Sequence, residues 1–433
     1  MKFALIINPQ DASQTVIHSL AELNYSVSCA PLPFDLQNSR LNHSMSFIHP
    51  KLKALSDIKS QMSQCLKMIK EKNISFILPS CSINGGQYLI IGCLNEMHGL
   101  PGLDKKLSKF WMRKSRYLRH FKQLGLNAPS IFQTVSTQEE PNLDLITDFP
   151  VICKPDCGSG SRGVFLARTS KELEKLFQPD FDEAMELEKQ PRSKLTNKNL
   201  ASYLYDNCHS KYLIEKFIPG PLFCITGIKA VNGIEVSLLY QVMPSDPPFR
   251  SENEFLAPLP FSEKEHTKKI HSLTSQIIKD SVFPYGPFVL DCILSDNKEL
   301  YLLDASPRLN GLPIDFLKLC YSDDSYVERA IRALLNQKIE IQKRKEPIAY
   351  IYLKNLPLPK GRLIKFYQKE PFSDYVVDWK FNLHPGNYIF KERNDAFSKY
   401  RGHLALAGAN IQQAKNRWFQ EYDKLKFSIK SEP

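Results

Sequence analysis

No apolar run in these 433 residues approaches the roughly 20 needed to cross a bilayer, so the sequence offers no helical membrane segment. The chain opens directly on a strand-like run, Lys2 to Asn8, without the basic region, long apolar stretch and small-residue cleavage site of a secretory leader; the expectation is a cytoplasmic protein. Ten cysteines include no C-x-x-C pair and no regular spacing, which speaks against a disulfide framework or a zinc site and for reduced, mostly buried thiols. Cys153 and Cys157, which flank a glycine loop, fit packing better than redox chemistry. Ten histidines contain no H-x-x-x-H spacing, so any metal falls to carboxylates. Internal repeats and low-complexity tracts are also missing.

What is present reads as an ordinary globular chain. Apolar residues make up 42% and charged residues 24%, near the soluble average, and the length calls for two to four packed lobes. The formal net charge is +11, and residues 331–433 hold 20 Lys/Arg against 10 Asp/Glu, so most of the excess lies in the last quarter. These charges are dispersed among strand-like segments instead of concentrated in one arm or helix, which suits a basic surface near a polyanionic ligand better than a nucleic-acid interface.

Strand and helix patterns alternate at the start: Lys2 to Asn8, Tyr25 to Ala30 and Ile74 to Pro79 as strands, Gln14 to Leu23 and Ile58 to Lys72 as helices. Such alternation predicts a parallel sheet with helices on its faces. One basic helix is expected from about Leu107 to Leu124, stopped by Gly125 with Pro129 shortly after, marking a lobe boundary. From Phe149 to Arg168 the pattern is strand, glycine loop, strand; Gln178 to Lys211 reads as helices and loops, and Tyr212 to Ile218 as strand. Strands recur over Gly233 to Val242 and Val289 to Leu309. Shorter β-signals at Ala349 to Leu353, Tyr375 to Val377 and Tyr388 to Phe390 precede an amphipathic helix, Ile411 to Leu425.

Two local patterns carry chemistry. Gly158-Ser159-Gly160-Ser161-Arg162-Gly163 matches G-x-G-x-x-G, but a dinucleotide fingerprint needs a helix next, and Val164 to Arg168 reads as strand. A glycine hairpin with Lys154 on its incoming strand can instead fold backbone N–H groups over phosphates, because any Cβ would hold the backbone away. A tight hairpin with a surface lysine shares the pattern; a protein kinase would need H-R-D and D-F-G sequences, which do not follow.

The second pattern is a hairpin of two strand runs, Phe288 to Leu294 and Leu300 to Arg308. With Asn297 and Lys298 as a two-residue turn, Asp291 lies directly opposite Asp304, and period-two alternation puts Ser306 and Arg308 on the same face. Facing carboxylates repel unless neutralised, and this oxygen-rich set suits Mg²⁺ that also touches a triphosphate. The arginine suits negative charge developing on a transferred phosphoryl group. Two solvated aspartates on an edge hairpin, salt-bridged to Arg308, have the same sequence.

Taken in order, these motifs resemble the ATP-grasp superfamily over nearly the whole chain, and within it the carboxylate-amine ligase branch that includes L-amino acid ligases. The resemblance implies an α/β fold: a Rossmann-like pre-ATP-grasp domain over 1–106, an ATP-grasp domain over 107–340 with its flap lobe at about 130–212, and a β-rich C-terminal lobe over 341–433. It implies that Lys114 and Lys154 hold the α/β-phosphates, that Gly158, Ser159, Gly160, Ser161 and Gly163 form the flap, and that Glu215, Lys216, Phe217 and Ile218 form the adenine hinge. Asp291, Asp304 and Ser306 would bind Mg²⁺ (or Mn²⁺), and Arg308 would stabilise an acyl phosphate. Apart from the resemblance, Arg250, in the loop Ser245 to Glu254 before Pro258 and Pro260, could take the substrate carboxylate; a surface arginine fits the sequence at least as well.

Ser306 stands where the family commonly has asparagine, Leu222 where it commonly has an acidic residue, and Asp304 where glutamate is usual. The implied activity is ATP-dependent activation of a small carboxylate for attack by an amine, with small-molecule partners and a homodimer as the default assembly. A bicarbonate-activating enzyme of the carboxylase or carbamoyl-phosphate type, or a non-catalytic ATP-binding protein, would share the nucleotide site.

Overall fold

A computed structural model describes residues 2–7, 13–30, 46–47, 65–79, 85–136, 139–157, 164–177, 211–245, 252–259, 264–280, 282–342, 346–359, 361–381, 383–386, 388–389 and 402–430. β1 (Lys2–Ile7), β2 (Tyr25–Ala30), β3 (Ser46–Phe47) and β4 (Ile74–Pro79) form a parallel sheet in the order β3-β2-β1-β4. It is flanked by α1 (Ser13–Glu22), α2 (65–72) and α3 (Gly85–His98). The expected alternation therefore gives the expected parallel sheet.

The single basic helix anticipated over 107–124 is in fact two, α4 (Lys105–Trp111) and α5 (Lys114–Gln123). The break falls at Arg113, whose backbone is extended at φ −121°, ψ 121°. Its cause lies far along the chain: the buried Asp156 carboxylate accepts from Ser115 N–H at 2.8 Å and Ser115 Oγ at 3.0 Å, and pairs with Arg113 at 3.2 Å. An anion at the first turn stabilises a helix start, so Asp156 sets where α5 begins. At the other end Gly125 adopts φ +81° and Leu126 N–H bonds back to Phe121, the expected stop.

β5 (Ile131–Ser136), β6 (Val151–Pro155), β7 (Phe165–Ala167) and β8 (Lys211–Lys216) form an antiparallel sheet, β5-β8-β6-β7, with α6 (Ser170–Leu176) after β7. The glycine loop 158–163 between β6 and β7 lies outside the described residues, as do Arg250, Pro260 and most of 178–211. The central sheet has eight strands in the order β13-β12-β9-β10-β11-β14-β18-β16. They are β9 (Leu222–Ala230), β10 (Gly233–Pro244), β11 (Glu252–Ala257), β12 (Gly286–Leu294), β13 (Leu300–Ser306), β14 (Tyr350–Asn355), β16 (Val376–Phe381) and β18 (Gly402–Gly408). Strands from the last quarter thus extend the central sheet. A small sheet, β17-β15-β19, is formed by β15 (Gly361–Gln368), β17 (Tyr388–Ile389) and β19 (Leu425–Lys430).

Helices α7 (Lys264–Lys279), α8 (Gly311–Tyr321), α9 (Tyr326–Leu334) and α10 (Ile411–Tyr422) cover these sheets. One core unites α3, α4, α5 and α7 with the β13-β12-β9-β10 end of the large sheet, around Trp111, Tyr117, Phe121, Phe283 and Phe288. The Trp111 indole donates to Val282 O at 2.8 Å, satisfying its buried N–H. Among the described residues no helix is long and apolar enough to cross a membrane. The described cysteines are free thiols, and burial alone pushes Cys65 and Cys320 up to about 12.

Gly220, between β8 and β9, has φ +137°, and a Cβ there would sit 2.0 Å from the Leu294 carbonyl oxygen. Gly220→Ala therefore forces both a disfavoured backbone and a clash with an immovable strand. The expected outcome is a loss of about 2 kcal/mol or more of stability, read as a lower urea midpoint. An unchanged midpoint would mean that the strand connection relaxes freely.

Candidate functional site

The site lies where the β5-β8-β6-β7 sheet faces the β12/β13 end of the large sheet. Asp291 and Asp304 are direct partners in the antiparallel ladder, as the numbering anticipated. The route to that register differs from the expected two-residue turn. Among the described hairpin residues only Lys298 has positive φ, at +60°, whereas the favoured two-residue turns need positive φ at the first central residue, here Asn297. The loop instead spans 296–298, closed by Ser295 N–H to Glu299 O at 2.8 Å, and pairs Cys292 with Leu302. A bulge beside Asp291 then shifts the register by one and restores Asp291 opposite Asp304 and Val289 opposite Ser306. Without that bulge the two carboxylates would be out of step.

Asp304 is held from the N-terminal side. Lys114 Nζ forms an ion pair with Oδ2, and the Tyr117 hydroxyl donates to Oδ1. Lys114 and Tyr117 are i, i+3 neighbours at the start of α5, so they share one helix face. Burial raises the Asp304 carboxyl, but the Lys114 ammonium, the Tyr117 bond and the Lys154 charge outweigh it and leave the group below the usual carboxylate range.

Asp291 goes the other way. Burial, then the negative charges of Asp304 and Glu252, push it up to about 7, with Cys224 and Arg308 opposing. Along the ladder Asp291 stands between Asp304 on one side and Cys224 on the other, and Tyr240 pairs with Cys224 beyond. Asn310 Nδ2 donates to the Tyr240 hydroxyl at 3.2 Å.

From the facing sheet, Lys154 on β6 reaches Glu215 on β8 at 2.6 Å and donates to Leu303 O at 3.3 Å, the carbonyl at the bulge. Ile152 pairs directly with Glu215, so Lys154 is its diagonal neighbour on the same face. Glu215 is 2% exposed; burial raises its carboxyl and the Lys154 and Lys114 charges pull it back. Its Oε2 has no hydrogen-bond partner among the described residues. Both lysines therefore sit beside carboxylates, and one buried carboxylate oxygen is left over.

Of the other anticipated residues, Phe217 N–H is bonded to Pro150 O at 3.2 Å and Ile218 is buried, while the Lys216 side chain pairs with Asp148 at the surface at 2.6 Å. Arg308 follows β13, donates to Leu309 O at 3.1 Å and lies close enough to Asp291 and Tyr88 to perturb both. Tyr88, on α3, is 4% exposed, and burial pushes its phenol up to about 12, so it is a neutral hydroxyl near pH 7.

Tyr88, Tyr117, Asp156, Cys224, Tyr240 and Glu252 did not emerge from sequence reasoning. Only Tyr117 carried a local signal, its three-residue spacing from Lys114. The oxygen donors present fit a hard divalent cation. Two carboxylates face each other, the Arg308 charge does not offset the burial of Asp291, and the Ser306 hydroxyl is next in line. Among the described residues no group of three His, Cys, Asp or Glu side chains is placed to hold a metal ion.

No family model matches the chain. It is 20% identical over 262 residues to the uncharacterized protein y4rH of Sinorhizobium fredii, which covers 60% of this chain. The chain spans about half the length of that curated relative. Its fold is similar to that of an L-amino acid ligase from Bacillus licheniformis, with a TM-score of 0.79 at 17% identity, covering 100% of this chain and 99% of that one. It is also similar to the biotin carboxylase domain of a Hydrogenobacter thermophilus 2-oxoglutarate carboxylase, solved with MgADP and bicarbonate, with a TM-score of 0.66 at 14% identity over 99% of this chain and 91% of that one. The chain has the α/β ATP-grasp fold.

Proposed function

We propose that this protein binds ATP with Mg²⁺ (or Mn²⁺) between the two facing sheets and uses it to join a small carboxylate to an amine, forming ADP. The observation that carries this reading is the opposition of Asp291 and Asp304, with Lys114 and Lys154 converging on the same hairpin from separate elements. A carboxylate oxygen of the substrate attacks the γ-phosphorus, the bond to the bridging oxygen breaks and ADP leaves. The amine nitrogen then attacks the acyl carbon, phosphate departs with the former carboxylate oxygen, and the amine loses a proton.

In this reading Lys114 and Lys154 leave their carboxylate partners to hold the α/β-phosphates, the loop residues Gly158, Ser159, Gly160, Ser161 and Gly163 fold over them, and Glu215 to Ile218 bound the adenine. Asp291, Asp304 and Ser306 would hold the divalent ion, which supplies charge neutralisation at the phosphates. Arg308 faces the charge that develops during transfer, and Arg250 is assigned to the substrate carboxylate. The proposed lobes are 1–106, 107–340 and 341–433.

The test is phosphate release that depends on ATP and Mg²⁺ across pooled carboxylates and amines. Release requiring one member of each pool is expected. Stimulation by bicarbonate without an amine would instead favour the carboxylase-type reading, and ATP binding without turnover on any pool would contradict ligation.

Two further outcomes follow from the site. Lys154→Met should weaken ATP binding by about ten- to hundredfold, the worth of a charge-assisted contact, as measured by calorimetry; equal affinity would remove Lys154 from the nucleotide site. Asp291 also makes ion binding depend on pH. Because its folded value of about 7 lies above the ordinary carboxylate value, the proton favours the ligand-free fold, and that contribution is lost as pH rises through about 7. Mg²⁺ must displace the same proton, so the Mg²⁺-induced rise in melting temperature should be larger at pH 8 than at pH 6. Asp291→Asn should abolish that difference; an equal pH dependence in the variant would refute the assignment.

A further inference from the structure

Tyr88 stands in the first turn of α3, in the N-terminal part of the chain, yet its phenol reaches the face of the carboxylate hairpin. It is 4% exposed, and its hydroxyl lies beside Ser306 and Arg308 without making a hydrogen bond of ordinary length and angle to any described residue. A buried hydroxyl left without a partner is destabilising, and the large majority of such groups in folded proteins find one. Its surroundings indicate which partner would fit. Asp304, the neighbouring acceptor, is already met by Lys114 and Tyr117. What remains is an unused O–H donor next to a guanidinium, a pair suited to an oxygen carrying negative charge.

We infer that the Tyr88 hydroxyl donates to an oxyanion that also meets Arg308, an oxygen either of the carboxylate under activation or of the phosphoryl group it receives. The inference rests on the ligase reading above and assigns a reacting-group contact to a helix outside the two facing sheets. It accounts for the retention of a destabilising hydroxyl: the donor is satisfied only when substrate is bound, so its favourable interaction is kept for the reacting complex.

The experiment compares the full-length protein with Tyr88→Phe in three measurements. In steady-state turnover with Mg-ATP and an active carboxylate and amine pair, the variant should lose about ten- to hundredfold in kcat/KM, the range for a lost hydrogen bond to a charged group. The ligand-free melting temperature should stay level or rise, because the substitution removes an unpartnered hydroxyl. Inorganic phosphate added with ADP and Mg²⁺ should raise the melting temperature of the natural protein more than that of the variant.

A higher KM for the carboxylate would place the contact on the substrate carboxylate, and a lower kcat on the transferred phosphoryl group; either supports the inference. Unchanged kinetic constants, or a turnover loss accompanied by a fall in ligand-free melting temperature, would overturn it. If the natural protein releases no phosphate with any pool, the ligase reading fails by itself, and the phosphate shift decides: a shift weakened in Tyr88→Phe supports the oxyanion contact, and equal shifts, including none in either, refute it.

Discussion

Asp304→Asn should reduce ATP-dependent phosphate release by about a hundred- to thousandfold, the scale reached when one preorganised charge-stabilising group is removed from an active site. The substitution keeps the shape of the side chain and its place opposite Asp291, so the ladder and its bulge should survive. What it removes is the negative charge that now binds Lys114 and that, in the proposed complex, faces the divalent ion. ATP binding and turnover should therefore part company. Lys114, no longer paired with a carboxylate, is freer to meet phosphate, so the dissociation constant for ATP should change little or improve while turnover falls. Turnover retained at half the natural level or more, measured with saturating Mg-ATP, would take Asp304 out of the reaction.

Arg329→Met should cost about 3–5 kcal/mol of folding stability, the usual consequence of leaving a buried ion without its partner. The Arg329 guanidinium on α9 meets Glu235 on β10 at 3.1 and 2.8 Å and Asp323 at 2.9 and 2.7 Å, and its side chain is 6% exposed. Glu235 also accepts from Ser237 Oγ at 2.7 Å and from Gln342 N–H at 3.1 Å, so the network ties the large sheet to the chain beyond α9. Burial raises Asp323, but its bonds to Arg329 outweigh this and hold it below the usual carboxylate range. Methionine matches much of the volume and supplies none of the five donors, leaving Glu235 buried without a cation. The urea midpoint should fall sharply, while activity per folded molecule at low temperature should be retained, since the bonds of Arg329 go to Glu235, Asp323 and Ser325 and not to Lys114, Lys154, Asp291 or Asp304. A midpoint within experimental error of the natural protein would show that this ion network is dispensable.

The carboxylate hairpin is legible in the sequence because its information is local. Period-two alternation and a short connection are enough to align Asp291, Asp304 and Ser306, although a two-residue turn is the wrong connection, and the bulge next to Asp291 offsets the one-residue difference; Arg308 lies beyond the end of β13. Lys154 was readable for a similar reason, standing on a strand that enters a glycine loop. The break between α4 and α5 was not, since nothing in Trp111 to Lys114 opposes a helix. Its determinant, Asp156, is brought to Ser115 only by the fold.

Tyr88, Glu252 and Tyr240 belong to the same class. Each lies on an element separate from the hairpin, and only the packing of α3 and the order of β10 and β11 in the same sheet, with β9 between them and β12, bring them near Asp291 or Arg308. The parallel order of the first sheet was legible as alternation, whereas the joining of β14, β18 and β16 to the central sheet was not, because short β-signals do not say which edge they extend.

The most direct measurement of the proposed chemistry follows the oxygen. The protein is incubated with Mg-ATP, the amine, and the carboxylate substrate labelled with heavy oxygen in its carboxyl group, and the released phosphate is examined by mass spectrometry. Activation through an acyl phosphate predicts one labelled oxygen in each phosphate formed together with the new amide. Amide formation with unlabelled phosphate, or phosphate release whose extra oxygen comes from water, would contradict it.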